Sequence, residues 1–569
     1  MMEKKIEEWL QPPFDQETQN AVRALQNDPT QLEDAFYQDL SFGTGGMRGV
    51  MGVGTNRINA YTLGKNTQGL CNYLRQRYAD EKIAVVVAYD CRNNSKKLAQ
   101  TVADIICAND IYCYLFSDLR PTPELSFAVR HLNAHCGIVL TASHNPPKYN
   151  GYKVYSKDGG QLIPPEQGEI IAHINKTQFR DIRFGGQKEK LRLIDAKVDA
   201  AYHQVVLEAA NFSALQQKNF QLVFTSLHGT AIKALPEVLQ KAGYDQLHIV
   251  ASQAEPDGNF PTVQSPNPEE PEALTEALKI AHEKGADMVI GTDPDADRLG
   301  IAVTDDAGKW QLLNGNQTMA VMTEFLLQKQ QQKGTLHSNQ FVASTIVSSP
   351  LIEKISQHYG VHYKSCLTGF KWIAALIEKH PELEFVGGGE ESFGYLVGTQ
   401  VRDKDAISAS LLACEIGFEA KSQGKSFWQL LMACYQKYGL YHEKLVALTK
   451  EGQKGAQEIH QMMTHYRNNP PKTIEGIEVV SIEDYQRQQK TLIRSGETTP
   501  LLLPQADVLI FNLKEHSRIA LRPSGTEPKI KFYFSVNETF DPSKTYAEQQ
   551  AVLQEKIEVL TKYFSRYDA

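Results

Sequence analysis

No stretch of the chain approaches the ~20 consecutive apolar residues needed to cross a bilayer as a helix. The first residues, MMEKKIEEWLQPPFDQ, carry no apolar core behind their lysines, so a secretory leader is not expected either. The eight cysteines (71, 91, 107, 113, 136, 366, 414 and 434) form no CxxC pair and no Cys/His zinc spacing. Cytoplasm is the expected compartment, with the thiols reduced. Positive charge is in short supply: the net charge is −8, which argues against a nucleic-acid or anionic-membrane surface. There is no Walker A loop, no GxGxxG fingerprint and no EF-hand loop. Short repeats and low-complexity tracts are absent as well, and glutamine-rich patches such as LLQKQQQKG (326–334) read as solvated helix surface.

What is present is chain length and a repeated local pattern. The 569 residues exceed what one hydrophobic core organises, and suggest about four domains at ~150 residues each. Apolar runs at 83–90, 137–145, 220–229, 286–293 and 340–349 each end in small polar residues. Helix-like stretches lie between them, such as KLAQTVADIICAND (97–110), with Leu98, Val102, Ile105 and Ile106 on one face. The alternation predicts an α/β fold with mixed, mostly parallel sheets, whose ligands sit at loops after strand ends. The last quarter differs. There, SRIALRPSGTEPKIKFYFSV (517–536) reads as strand, loop and strand. Ile530, Phe532, Phe534 and Val536 alternate with Lys529, Lys531, Tyr533 and Ser535, as in a half-buried strand. A helix is expected from about Tyr546 to Tyr563. Boundaries fall near 205, 318 and 440, giving parts 1–205, 206–318, 319–440 and 441–569.

Four loops carry the chemistry. In TASHNPPKYNGYKVY (141–155), Ser143 follows an apolar strand and could present a hydroxyl nucleophile; an ordinary Ser/Asn/Pro turn fits the segment equally. In GTDPDADR (291–298), Asp293, Asp295 and Asp297 crowd a short window. Like charges 4 Å apart repel by roughly 4 kcal/mol at an effective dielectric of 20, so converging carboxylates call for a cation. An all-oxygen set suits Mg²⁺; a solvated acidic turn is the plainer alternative. In FVGGGEESFGY (385–395), Glu390 and Ser392 could hydrogen-bond sugar hydroxyls, or decorate a glycine-rich turn. In RPSGTEPK (522–529), Arg522, Ser524 and Thr526 surround Gly525, an arrangement that turns N–H groups toward an anion, or a simple hairpin. Together the loops supply a nucleophile, a hard-metal trap, a polyol clamp and a phosphate cradle, the inventory of a phosphoryl-transfer site.

In order and wording these loops resemble those of the alpha-D-phosphohexomutases, the phosphoglucomutase/phosphomannomutase superfamily, from about Ser41 to Tyr533. The resemblance implies four domains around a central cleft: three related α/β domains and a smaller C-terminal α+β domain. It implies that Ser143 is the phosphoserine, and that Asp293, Asp295 and Asp297 bind Mg²⁺ together with its phosphoryl oxygen. Glu390 and Ser392 match the sugar-recognising motif GEESFG; Arg522, Ser524, Gly525 and Thr526 match the distal phosphate loop. FGTGGMRG (42–49) makes Arg48 an active-site cation, and VRDKDA (401–406) makes Lys404 a proton-transfer candidate. LTGFKW (367–372), with Thr368 and Gly369, resembles the loop that senses sugar orientation. Arg298 either orients the phosphoserine or makes a structural ion pair, and His144 is a second candidate base.

The implied reaction passes a phosphoryl group from Ser143 to a sugar monophosphate, through a sugar 1,6-bisphosphate that also serves as activator. GEESFG favours glucose phosphate, with mannose and pentose phosphates behind it. An aspartate-based phosphatase using Asp293 as nucleophile, or an inactive sugar-phosphate-binding relative, is the rival reading. Small sugar phosphates are the expected partners, and the sequence leaves the oligomeric state open.

Overall fold

The computed structural model describes residues 2–43, 45–213, 215–450, 452–514, 516–524 and 528–566. The chain forms two compact units. The first comprises Met1–Gly315 and Phe370–Phe427, the second Asn316–Gly369 and Trp428–Ala569.

In the first unit a six-stranded sheet runs in the spatial order Gly46–Val50, Tyr149–Tyr155, Cys136–Leu140, Ala84–Tyr89, Tyr112–Phe116, Leu191–Ile194. The last four strands are parallel, and the first two pair antiparallel. Every residue of Ala84–Tyr89 is buried, as expected of a strand covered on both faces. Helix Ser95–Ala108 buries the foreseen Leu98, Val102, Ile105 and Ile106. It ends two residues early, where Asp110 takes a left-handed backbone (φ +63°) incompatible with a further helical turn, and it begins two residues early, directly after the left-handed Asn94 (φ +64°). A second sheet in this unit orders Trp310–Leu313, Leu299–Thr304, Met288–Thr292, Leu222–Thr225, Leu247–Ile249. Its last three strands are parallel and its first two are added antiparallel. The returning segment contributes the hairpin Glu384–Glu390/Gly394–Val397 and the buried helix Ala406–Ser422, which Asp405 caps by accepting from the Ile407 and Ser408 amides.

In the second unit, strands Gln340–Thr345 and His362–Cys366 pair in parallel. A large antiparallel sheet is built around Leu440–Thr449, Lys529–Glu538, Arg518–Pro523, Leu509–Leu513 and Ile477–Asp484. Helix Tyr546–Ser565 starts at a Thr545/Glu548 capping box and sets Phe564 against Phe532 and Phe534.

One expectation fails here. Tyr533 and Ser535 are buried rather than exposed, at 8% and 6%. Their strand is central, paired on both sides, and Ser535 lies directly opposite Glu443, whose carboxylate accepts its hydroxyl at 3.4 Å. The architecture is mixed α/β with mostly parallel sheets, followed by a sheet-rich C-terminal α+β region. All eight cysteines are free thiols. No helix among the described residues is long and apolar enough to cross a membrane.

Candidate active site

Strand Cys136–Leu140 delivers the chain into the loop that carries Ser143. Ser143 sits in the left-handed region (φ +50°), a conformation costing a non-glycine residue about 1–3 kcal/mol and tolerated where surroundings enforce it. Part of the enforcement is local: the Ser143 amide donates to Thr141 Oγ1 at 2.8 Å. The side chain is buried at 3%, donates to Asp293 Oδ2 at 2.6 Å, and lies 3.1 Å from His144 Nδ1. His144 is partly buried and faces the charges of Arg298 and Arg48; desolvation and those charges together push its pKa down to about 2 and leave the ring neutral.

The three aspartates occupy the turn between Met288–Thr292 and Leu299–Thr304. Asp293 Oδ1 accepts the amides of Asp297 (3.0 Å) and Arg298 (2.9 Å), and Ala296 takes a left-handed backbone to close the turn. All three carboxylates are buried, and each offers an oxygen within 4.8 Å of the others. Asp295 Oδ1 and Asp297 Oδ1 are buried without a hydrogen-bond partner. Buried polar atoms ordinarily find partners, so two orphaned oxygens on carboxylates of an all-oxygen cluster fit a hard divalent cation. Burial and the neighbouring Asp295 and Asp297 charges hold the Asp293 carboxyl well above the usual range. Burial acts the same way on Asp295, but Lys153 and Lys404 outweigh it and keep that carboxyl ionised.

The cluster is ringed by cations. Lys404 Nζ lies 3.1 Å from Asp297 Oδ2 and 3.3 Å from Asp403 Oδ1; burial disfavours its charge, yet the two carboxylates raise its pKa. Asp403 is in turn fixed by the Tyr155 hydroxyl (2.7 Å) and Gln161 (3.0 Å). Arg298 pairs with Glu269 and comes within 3.9 Å of Asp297. Arg48, on strand Gly46–Val50, is exposed and donates to Asn145 Oδ1 at 2.6 Å, which places it on the Ser143 loop. Glu390 ends its strand opposite Gly394, is 7% exposed, and adds a negative charge felt by Arg298 and Lys404. Ser392 lies in the tight turn just beyond it.

Thus Ser143, His144, Asp293, Asp295, Asp297, Arg298, Arg48, Lys404, Glu390 and Ser392 all belong to the first unit, and hydrogen bonds, ion pairs and charge link the first nine of them. Thr368 and Gly369, in the loop after strand His362–Cys366, belong to the second unit, as do Arg522 and Ser524 at the end of Arg518–Pro523. Gly525 and Thr526 lie outside the described residues.

Three consecutive domain models of phosphoglucomutase/phosphomannomutase, alpha/beta/alpha domains I, II and III, match residues 39–181, 200–308 and 314–438. A phosphoglucomutase of Staphylococcus epidermidis is 38% identical over 527 residues, covering 91% of this chain and 95% of its own length. The chain belongs to the phosphoglucomutase/phosphomannomutase family. It is thereby an isomerase of that type. Similar solved structures share the family fold. A putative phosphomannomutase from Thermus thermophilus superposes with a TM-score of 0.68 at 22% identity, covering 92% of this chain and 99% of that one. Parafusin, a phosphoglucomutase from Paramecium, gives 0.68 at 19% identity, covering 94% and 97%.

Two groups at this family site escaped the sequence reading. Lys153 Nζ bridges Asp295 Oδ2 (2.7 Å) and Asp297 Oδ2 (3.4 Å). Thr122, the first residue of helix Thr122–His131, donates its amide to the Asp295 carbonyl at 2.9 Å and its hydroxyl to Oδ2 at 3.1 Å. A lysine at an alternating position of a buried strand was the available signal for the first. Nothing in the sequence around Thr122 flags it.

Proposed function

We propose that the protein interconverts glucose 1-phosphate and glucose 6-phosphate through a phosphorylated Ser143 and a glucose 1,6-bisphosphate intermediate. The observation that carries this is the Ser143 hydroxyl, 2.6 Å from Asp293 within a buried, partly orphaned carboxylate cluster. The choice of glucose rests on the Staphylococcus relative named phosphoglucomutase; mannose and pentose phosphates are the next candidates.

In this reading a sugar hydroxyl attacks the phosphorus of phospho-Ser143. The new O–P bond forms as the Oγ–P bond breaks, the electron pair stays on Oγ, and the hydroxyl proton passes to a basic group of the site. The return transfer reverses these roles using the other phosphate of the bisphosphate. His144, neutral and 3.1 Å from the serine oxygen, is the group free to accept a proton, and Lys404, kept charged beside Asp297, is the one that carries a proton to donate. Arg48 sits on the serine loop, where a guanidinium offsets the charge of the phosphoryl oxygens. Arg298 holds the aspartate turn in place. Asp293, Asp295 and Asp297, with a Ser143 phosphoryl oxygen, would hold Mg²⁺, and the bound ion would supply positive charge to the transferring group. Glu390, Ser392, Thr368 and Gly369 recognise the sugar; Arg522, Ser524, Gly525 and Thr526 bind a substrate phosphate. The chain divides into domains at 1–205, 206–318, 319–440 and 441–569, and works in the cytoplasm on small molecules.

Hydrolysis through Asp293 is disfavoured because both its oxygens are engaged, one by two backbone amides and the other by Ser143. The test is turnover of glucose 1-phosphate with magnesium and a trace of glucose 1,6-bisphosphate, with intact-mass analysis of the enzyme. An acid-stable phosphoryl group that vanishes in Ser143→Ala, together with loss of turnover, is expected. Full turnover by Ser143→Ala, or release of free phosphate as the main product, would overturn the reading. Relative rates on glucose-, mannose- and ribose-1-phosphate decide the sugar.

A further inference from the structure

Arg92 belongs to none of the motifs above, yet its guanidinium is enclosed beneath the serine loop, with no exposed side-chain surface. One amino group, Nη1, donates to the carbonyls of Pro146 (3.0 Å) and Tyr149 (2.9 Å). The other, Nη2, donates to those of Ser143 (2.6 Å) and Asn145. Four backbone carbonyls spread over seven residues thus converge on one planar group. Behind it, Asp90 pairs with Nε at 3.5 Å and uses its other oxygen to accept the Arg92 amide (2.9 Å) and the Ser95 hydroxyl (2.8 Å). The ring of Phe260 lies against the guanidinium with its centroid 5.1 Å away. Phe260 is held by a segment that packs tightly on the arginine's own turn: a Cβ on Gly258 would sit 2.4 Å from the Asn93 nitrogen.

The arrangement fixes the backbone rather than any side chain of the loop. Ser143 needs such fixing, because its left-handed conformation is unfavourable and its hydroxyl must stay within 2.6 Å of Asp293. We propose that Arg92 is a positioning residue for phosphoryl transfer, acting through the Ser143 carbonyl to hold the serine oxygen in register with the aspartate turn. The inference rests on Ser143 being the phosphoryl carrier. A lysine keeps the charge but offers a single point of donation, and cannot span carbonyls at both ends of the loop as a planar fork does.

The test is steady-state kinetics of Arg92→Lys on glucose 1-phosphate, with Ser143→Ala assayed in parallel and the folded fraction of each measured by thermal melting. Misplacing a reacting group by about 1 Å can lower a rate about 100-fold. Arg92→Lys should therefore show kcat down by about that factor per folded molecule, with KM within about twofold of the parent. Arg92→Ala should regain part of its kcat in millimolar ethylguanidinium, without a matching rise in melting temperature. A purely structural arginine would lower the folded fraction and leave kcat per folded molecule unchanged; that result overturns the proposal. Should Arg92→Lys not fold, Phe260→Leu keeps the guanidinium and loosens its seat. A several-fold fall in its kcat at constant KM supports the proposal, and an unchanged kcat overturns it. An inactive Ser143→Ala beside a fully active Arg92→Lys rejects the positioning role alone, whereas an active Ser143→Ala rejects the carrier assignment.

Discussion

Replacing Gly394 with alanine should impair the site without removing any charged group. A Cβ built on Gly394 falls 2.1 Å from Lys404 Cδ and 2.6 Å from Cγ. Carbon atoms pack favourably at about 3.5–4.0 Å, so the lysine stem must move by roughly 1.5 Å. If that motion carries Nζ away from Asp297, the 3.1 Å contact lengthens to about 4.6 Å. At an effective dielectric of 20 the lost attraction is roughly 2 kcal/mol, more than tenfold in an equilibrium constant. Added to the sensitivity of transfer to small displacements, this predicts a fall in kcat/KM of roughly 10- to 100-fold. The assay is glucose 1-phosphate turnover for Gly394→Ala, Lys404→Ala and the double variant. If the glycine acts only by leaving room for the lysine, adding Gly394→Ala to Lys404→Ala costs less than about twofold. Full activity in the single variant, or additive losses in the double, would refute the steric argument.

Lys153→Met removes the lysine that bridges Asp295 and Asp297 and leaves Lys404 as their nearest buried cation; breaking such a buried pair costs about 3–5 kcal/mol. Its melting temperature in chelator should fall by several degrees, and added magnesium should recover more of it than in the parent. Asp295→Asn should lower turnover by orders of magnitude and weaken its magnesium response; an unaltered magnesium titration would remove Asp295 from the metal site. In the second unit, burial raises the Glu443 carboxyl to about 7. The folded state then keeps a proton that the unfolded state has lost, so stability declines as pH climbs from the ordinary glutamate value of 4.5 to about 7 and is level above it. Glu443→Gln, melted across that interval, should gain on the parent until about pH 7; a constant difference would show that Glu443 does not titrate there.

The serine and aspartate loops were readable because each follows an apolar strand and crowds reactive residues into a few positions, which leaves a local mark. Lys153 left a fainter one. Its neighbours Tyr152 and Val154 are core residues, and only the partner carboxylates, more than a hundred residues away, give its charge a purpose. Arg92 left none, since capturing main-chain carbonyls requires no particular side chains in the captured loop. Long-range pairing also explains Tyr533 and Ser535: alternation shows two faces of a strand, but not whether something covers the second.

The chain leaves the first unit after Gly315 and re-enters it at Phe370. On re-entry it brings Lys404 to Asp297, places the Tyr202 hydroxyl on Asp405 at 2.8 Å, and sets the Ala406 amide on the Ala296 carbonyl at 3.2 Å. A ribosome that has released only the first 315 residues has therefore made the serine, all three aspartates and Lys153, but not Lys404, the second lysine paired with them. Assembly of the charged centre must await roughly a hundred further residues, and a nick near residue 340 would divide its ingredients between two fragments.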